Sequence, residues 1–225
     1  PSAWAGRAEP PSPHGGAAAY PARMSALTAL MLNCTLKPSP EPSSTEVLGQ
    51  QVMEALAEQG VSGDALRVVD HRVLPGVLTD MGDGDEWPTI RAAVLAADIL
   101  VLATPTWLGQ HSSVAQRVLE RLDAELSETD DAGRPTLFGT VAIPVVVGNE
   151  DGAHHISAIL GQALGDVGCT LAAQPAVYWN GEAMSGVDYK DLTEVPEAVA
   201  AATRTAAANA VHLAGLLAAS PYPAP

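Results

Sequence analysis

The chain has 225 residues, 47% hydrophobic and 16% charged, which is long and apolar enough for one domain with a sizeable core. Eleven Lys and Arg against 26 Asp and Glu give a formal net charge of −15, which disfavours nucleic acids and anionic membranes as partners. Neither Cys34 nor Cys169 belongs to a metal-binding motif and no apolar run is long enough to span a membrane, so we expect a cytoplasmic protein.

The composition changes near both ends of the chain. Residues 1–23 are rich in Pro, Ala and Gly and lack the apolar core of a secretory signal, so we predict a flexible extension. Residues 24–219 are predicted to form one domain, followed by a short tail over residues 220–225.

Apolar runs and helical patterns alternate along the domain. The apolar runs predict strands at 27–33, 66–70, 98–104, 140–148 and 171–178. Periodicity and end signals predict helices at 43–60, 88–97, 112–122, 156–167 and 196–217. Five alternating pairs imply a parallel sheet covered on both faces. Ligands of such sheets bind at the carboxyl ends of the strands, so the loops after the first, third and fourth strands are the candidates for function.

The loop after the first strand, residues 33–45, is long and rich in hydroxyl groups. It leads into a helix for which Ser43 and Glu46 predict a capping box, and the free N–H groups at such a helix end favour an anion. The residues available to bind the anion are Thr35, Lys37, Ser43, Ser44 and Thr45. An ordinary capped helix explains the same residues equally well. Cys34 is either a buried small residue or a thiol close to a ligand.

The loop after the third strand, residues 104–111, follows the clearest apolar run. Trp107 has the flat apolar surface that a planar ring stacks on, and Gly109 would let the backbone approach such a ring. The alternative is that Trp107 covers the helix behind it. Because the chain has only four Trp, four Tyr and one Phe, a Trp at the end of a central strand favours a ligand.

The loop after the fourth strand, residues 148–154, combines glycines with amide and acidic groups. Asn149 can donate and accept hydrogen bonds at the polar edge of a ring. Alternatively, Asp151 caps the next helix and Glu150 complements its dipole. A metal site would need Glu150 and Asp151 together with the histidines that follow, but neighbouring histidines at a helix start more often face solvent, and we predict no metal.

Together these loops resemble the NAD(P)H-dependent FMN reductase and flavodoxin-like family. The resemblance covers residues 24–217 and is carried by A-T-P-T-W-L-G at 103–109, V-G-N-E-D-G at 147–152 and the helical sequence at 114–123. It implies a flavodoxin-like three-layer α/β sandwich, in which a five-stranded parallel sheet of order 2-1-3-4-5 has helices on both faces. It also implies FMN as cofactor, NAD(P)H as electron donor and a homodimer or homotetramer.

The resemblance assigns expected roles to individual residues. The FMN phosphate would be bound by Thr35, Lys37, Ser43, Ser44 and Thr45. The ring would be framed by Pro105, Thr106, Trp107, Leu108 and Gly109, and by Gly148, Asn149, Glu150, Asp151 and Gly152. A pocket for the second substrate would be lined by His111, His154 and Trp179, and no catalytic side chain is assigned. The first loop reads N-C-T-L-K where the family usually has S-x-R-x-x-S.

The activity implied is FMN-dependent transfer of a hydride from NAD(P)H to bound FMN and on to a quinone, a flavin or another small acceptor. One alternative is a flavodoxin-like electron carrier without its own NAD(P)H activity, for which the acidic charge would suit a basic protein partner. Another is a scaffold of the same topology without flavin. The aromatic segment at 178–189 either walls the pocket, reaches a second subunit or packs on the last helix as a surface loop. The sequence does not distinguish NADH from NADPH.

Overall fold

A parallel sheet lies at the centre of the structure, a computed structural model that describes residues 26–182 and 185–224. Within these residues the strands are β1 Thr28–Asn33, β2 Ser62–Arg67, β3 Ile99–Trp107, β4 Gln110–His111, β5 Val141–Gly148, β6 Thr170–Leu171 and β7 Val177–Asn180. The helices are α1 Ser44–Ala57, α2 Trp87–Leu95, α3 Ser113–Leu122, α4 Ala153–Asp166 and α5 Glu197–Ala219. The predicted extension at 1–23 lies outside the described residues.

The strands pair in the order β2-β1-β3-β5-β6, and β7 pairs farther along β5. Every pair in this set is parallel, and Ala29 of β1 lies opposite Ile99 of β3. Because β5 is the fourth predicted strand and β6 with β7 takes the place of the fifth, the predicted sheet order is confirmed. The short strand β4 was not predicted; it pairs antiparallel with the end of β3.

Two apolar layers cover the sheet. Met31 and Val101 pack with α1 and α5 on one face. Leu30 and Leu100 pack with α2, α3 and α4 on the other face. This alternation follows from the two-residue period of a strand, and it confirms the predicted three-layer sandwich. No helix in the described parts of the chain combines the length and the apolar character needed to cross a bilayer.

Strand β2 starts and ends earlier than predicted. The apolar run predicted a strand at 66–70, whereas the strand is Ser62–Arg67 and Val68–Asp70 forms a single 3-10 turn. The first residues of β2 are polar and exposed, so periodicity alone does not reveal them. They are extended because they pair with β1, where Thr28 lies opposite Ser62.

The predicted strand at 171–178 is divided into β6 and β7. Strand β5 pairs with β6 through Ala142 and with β7 from Val145 onward, and Pro144 lies in the interval between them. Proline has no N–H to donate to a neighbouring strand, which accounts for the interruption. Strand β3 extends past the predicted residue 104 to Trp107, because β5 continues beside it and β4 folds back onto it.

A buried ion pair holds the long segment at 71–86 against α3. Asp85 Oδ2 lies 2.7 Å from Arg121 Nη1, and both side chains are fully buried. Arg121 also donates to the carbonyl groups of Leu74 and Leu78. Burial alone would raise the pKa of Asp85, but the N–H groups of Met81, Leu74 and Trp87 and the Arg121 guanidinium lower the pKa to about 2.

The change D85N is expected to lower the free energy of unfolding at pH 7 by about 3–5 kcal/mol, because Arg121 becomes an unpaired buried charge. Since the folded-state pKa lies below the ordinary value of 3.8, the stabilisation by Asp85 is present above that value and is lost as the pH falls toward about 2. The stability of D85N should therefore depend less on pH in this acidic range. Denaturant unfolding followed by circular dichroism measures both effects.

The control is D130N, which breaks the partly exposed pair between Asp130 and Arg134. A pair of that kind contributes about 1 kcal/mol or less. Equal losses of stability in D85N and D130N would contradict the assignment of the buried pair as the anchor of this segment.

Candidate functional site

A cleft opens at the carboxyl ends of β1, β3 and β5. The helix after β1 covers one face of the sheet and the helix after β3 covers the other, so the chain leaves a crevice between them. Eleven of the predicted site residues line this cleft: Thr35, Lys37, Ser43, Ser44, Thr45, Pro105, Thr106, Trp107, Gly148, Asn149 and Trp179. Four residues that were not predicted also line it: Leu36, Val147, Asp188 and Tyr189.

One end of the cleft is formed by the amino end of α1. Ser43 is the N-cap, and its hydroxyl group accepts a hydrogen bond from the N–H of Glu46 at 3.4 Å. This is one half of the predicted capping box; the Glu46 carboxylate binds Arg67 instead of returning to Ser43. Helix geometry leaves the N–H groups of Ser44 and Thr45 without intrahelical acceptors. The helix end therefore presents amide donors and a positive dipole to the cleft.

Lys37 supplies a positive charge at the same end. Its ammonium group donates to the Pro42 carbonyl at 3.4 Å and has no carboxylate partner within the described residues. The loop that carries it is ordered by its own side chains. The Thr35 N–H donates to Asn33 Oδ1 at 3.1 Å, and the Thr35 hydroxyl accepts from the Lys37 N–H at 3.3 Å. A negatively charged group would meet one cation and free amides here.

Cys34 does not take part in this arrangement. Its backbone N–H donates to the Ala103 carbonyl, and its carbonyl accepts from the Ser112 hydroxyl. The side chain is fully buried in the apolar layer on the α2, α3 and α4 face. Burial raises the pKa of the Cys34 thiol, which disfavours the reactive thiolate form. Of the two alternatives, the structure therefore supports a packed small residue.

Trp107 also lines the cleft, and 54% of it is exposed. The next two residues, Leu108 and Gly109, have φ values of 51° and 72° and form the turn between β3 and β4. Two consecutive positive φ values are typical of a type I′ hairpin turn. This conformation is unfavourable for a leucine, and it points to constraints from the surroundings.

Those constraints come from the loop at 148–154. The Glu150 carboxylate accepts a hydrogen bond from the Leu108 N–H at 3.0 Å. Gly152 packs so closely on Gly109 that a Cβ atom at Gly152 would lie 2.8 Å from the Gly109 Cα. Within the described residues, the Asp151 carboxylate accepts a hydrogen bond from the N–H of Gly152 alone, and the N-cap of α4 is Gly152. Leu108 and Gly109 form the turn, and Glu150, Asp151 and Gly152 lie against it. None of these five predicted residues is part of the cleft lining.

A third wall is formed by Trp179, Asp188 and Tyr189, which belong to the segment at 178–189. The rings of Trp179 and Tyr189 lie 5.3 Å apart, and the Tyr189 hydroxyl donates to Gln51 of α1 at 2.6 Å. The Asn149 amide donates to Asp188 Oδ1 at 3.1 Å. The alternative in which this segment walls the pocket is thus the one that the structure supports. The aromatic content of the segment was the available signal for Tyr189, whereas Asp188 carried no signal of its own.

Two predicted pocket residues lie outside the cleft lining. His111 contacts Gln116, with 2.8 Å between His111 Nε2 and Gln116 Oε1. His154 contacts the Tyr178 hydroxyl, also at 2.8 Å from its Nε2. Within the described residues, no group of three His, Cys, Asp or Glu side chains could hold a metal ion.

The groups that line the cleft suit a flavin mononucleotide. The amides of α1 and Lys37 suit a phosphate, and the half-exposed Trp107 suits a planar ring. The Thr106 hydroxyl is buried beside the cleft without a hydrogen-bond partner in the described chain, so it is available to a bound molecule.

Comparison with known proteins agrees with this geometry. The chain is 33% identical over 207 residues to the 8-demethyl-8-aminoriboflavin-5′-phosphate synthase of Streptomyces davaonensis, covering 88% of this chain and 80% of that protein. A crystal structure of RosB with the bound intermediate 8-demethyl-8-formylriboflavin-5′-phosphate has a TM-score of 0.79 at 33% identity, covering 88% of this chain and 82% of that one.

A second curated relative is much longer than this chain. The chain is 42% identical over 178 residues to a protein of Mycobacterium bovis called divalent metal cation transporter MntH. The match covers 77% of this chain but only 26% of that protein, so this chain spans about a quarter of its relative's length.

Residues 28–183 match the family described as NADPH-dependent FMN reductase. This match confirms the family resemblance, and the family is described by its use of FMN and NADPH. The chain belongs to the NADPH-dependent FMN reductase family.

Proposed function

We propose that this protein is an FMN-dependent oxidoreductase that transfers a hydride from NAD(P)H to bound FMN and on to a quinone, a flavin or another small acceptor. One observation carries the proposal: a single cleft joins an anion-binding helix end to an exposed Trp at the end of the neighbouring strand. We further propose a cytoplasmic homodimer or homotetramer. The two buried free cysteines suit a reducing compartment, and family resemblance supports the oligomer.

The residues of the cleft have separate roles in this proposal. Lys37 and the N–H groups of Ser44 and Thr45 bind the phosphate. Trp107 presents its ring to the flavin. The Glu150 carboxylate accepts a hydrogen bond from the Leu108 N–H and so fixes the hairpin to which Trp107 belongs. Trp179 and Tyr189 form an apolar wall that excludes water from one side. FMN, when bound, supplies the redox chemistry, and the protein orients the cofactor and sets its surroundings.

Anaerobic addition of NADPH or NADH to the FMN-loaded protein tests the activity. We expect the yellow colour to bleach and to return when a quinone is added, with multiple turnovers. Free FMN at the same concentration is the control. Colour that persists with both nucleotides would contradict the reductase proposal and would favour the electron-carrier alternative. A protein that stays colourless with FMN, with no change in melting temperature, would favour the scaffold.

A second candidate is an enzyme that modifies a flavin phosphate as its substrate. The related synthase and the RosB structure favour it, because both concern riboflavin-5′-phosphate derivatives at 33% identity. Mass spectrometry of the flavin recovered after turnover separates the candidates. We expect the mass of FMN to remain unchanged when FMN is a cofactor. A new flavin mass that appears in proportion to enzyme would favour the second candidate and contradict the first.

The change Lys37→Met is expected to weaken the binding of FMN by about 10–100-fold, since a hydrogen bond to a charged group contributes ~1.5–3 kcal/mol. Riboflavin lacks the phosphate, so its affinity should not change. Quenching of flavin fluorescence measures both dissociation constants. The matched control is Arg72→Met, which removes one positive charge from an exposed site outside the cleft lining. Equal losses for FMN and riboflavin would show that Lys37 does not bind the phosphate.

A further inference from the structure

Arg67 connects both limbs of the loop that carries Lys37. It lies at the end of β2, opposite Asn33 of β1, and only 9% of it is exposed. Its Nη1 donates to the carbonyl of Lys37 at 3.3 Å and to the carbonyl of Glu41 at 2.8 Å. The two ends of this loop turn are thus held by one guanidinium group.

The same guanidinium group is also attached to α1. Arg67 Nη2 lies 2.5 Å from Glu46 Oε2, and Glu46 is in the first turn of the helix. The planar fork of an arginine can bind several acceptors in fixed geometry, which a lysine ammonium cannot do. Arg67 therefore fixes the loop and the amino end of α1 relative to each other, and these are the two parts of the anion-binding end of the cleft.

A second contact, from the 3-10 turn that follows β2, supports the loop. The Asp70 carboxylate accepts hydrogen bonds from the Ser39 N–H at 2.8 Å and from the Ser39 hydroxyl at 2.5 Å. The Ser39 hydroxyl, followed by the Ser39 N–H, lowers the pKa of Asp70 below its usual value. The carboxylate therefore remains charged at neutral pH, and the loop is held at its middle as well as at Lys37 and Glu41.

We propose that Arg67 is a positioning residue that pre-orders the phosphate-binding loop and thereby determines the preference for FMN over riboflavin. This inference rests on the proposed function, because it needs the phosphate to bind at Lys37 and α1. Fixing the backbone of a flexible loop residue costs conformational entropy. If the loop is already ordered before FMN binds, this entropy cost does not lower the affinity for FMN.

Arg67 acts through the loop in this proposal and does not contact the phosphate. It is absent from the residues that line the cleft, and both terminal nitrogens of its guanidinium group already have acceptors. In this proposal, the groups that contact the phosphate are the Lys37 ammonium group and the N–H groups at the start of α1. The loss of Arg67 should therefore reduce FMN affinity by the same route as the loss of Lys37.

The test measures the ratio of riboflavin to FMN dissociation constants in variants of the full chain. Arg67→Met is expected to lower this preference for FMN by about tenfold, roughly the effect of having to order one loop residue on binding. Arg67→Lys keeps the charge and guards against misfolding of the first variant, and it should recover less than half of the loss on a logarithmic scale. Arg134→Met is the matched control, because Arg134 pairs with Asp130 and lies outside the cleft lining.

A double-mutant cycle with Lys37→Met separates positioning from direct contact. If Arg67 acts through the loop, the double variant should lose little more FMN preference than Lys37→Met alone, because the two changes share one route. Additive losses, or full recovery by Arg67→Lys, would mean that Arg67 acts directly through its charge and would overturn the inference. Equal losses of FMN and riboflavin affinity in both Arg67 variants would indicate a general structural role and would also overturn it.

The wild-type protein distinguishes this inference from the proposed function. If wild-type protein prefers FMN over riboflavin but the Arg67 variants keep that preference, only the positioning role of Arg67 is wrong. If wild-type protein binds FMN and riboflavin equally, or binds neither, the proposed phosphate site is wrong and the inference falls with it.

Discussion

The crevice between α1 and α3 exists because two neighbouring parallel strands send their helices to opposite faces of the sheet. Strands β1 and β3 lie side by side, yet α1 packs on one apolar layer and α3 on the other. A right-handed crossover allows this only where the strand order reverses. The carboxyl ends of both strands are left uncovered at that point, and the amino end of α1 and Trp107 both line the cleft there.

Local electrostatics outweighs the overall charge in this cleft. The chain carries a net charge of −15, but exposed charges more than about 8 Å away are largely screened at physiological salt. A phosphate at the amino end of α1 would meet the ammonium group of Lys37 and the free amides of the helix. In the role proposed for it, Arg67 holds these groups in place, because its guanidinium charge is already matched by Glu46. On this proposal, an acidic protein binds an acidic cofactor.

Much of the fold was predictable because its signals are local. The apolar run of β3 and the Ser43 cap depend on residues close in sequence, and both are in the structure. The start of β2 was missed because Ser62–Arg67 becomes a strand by pairing with β1 and has no apolar pattern. In the site, the three loops were predictable from their position after strands. Arg67 and Asp188 were not, since tertiary contacts alone bring them to the loop and the cleft. For Tyr189, the aromatic content of its segment was a signal in the sequence.

The difference between local sequence signals and tertiary contacts also explains why five predicted ring-binding residues lie outside the cleft lining. Leu108, Gly109 and the residues at 150–152 are adjacent in sequence to residues that line the cleft, but they form and hold the hairpin beside it.

A crystal structure of the protein with bound FMN tests the central claim most directly. The account predicts that the phosphate accepts hydrogen bonds from the N–H groups of Ser44 and Thr45 and that the ring lies against Trp107. A phosphate bound elsewhere, or a ring remote from Trp107, would contradict it.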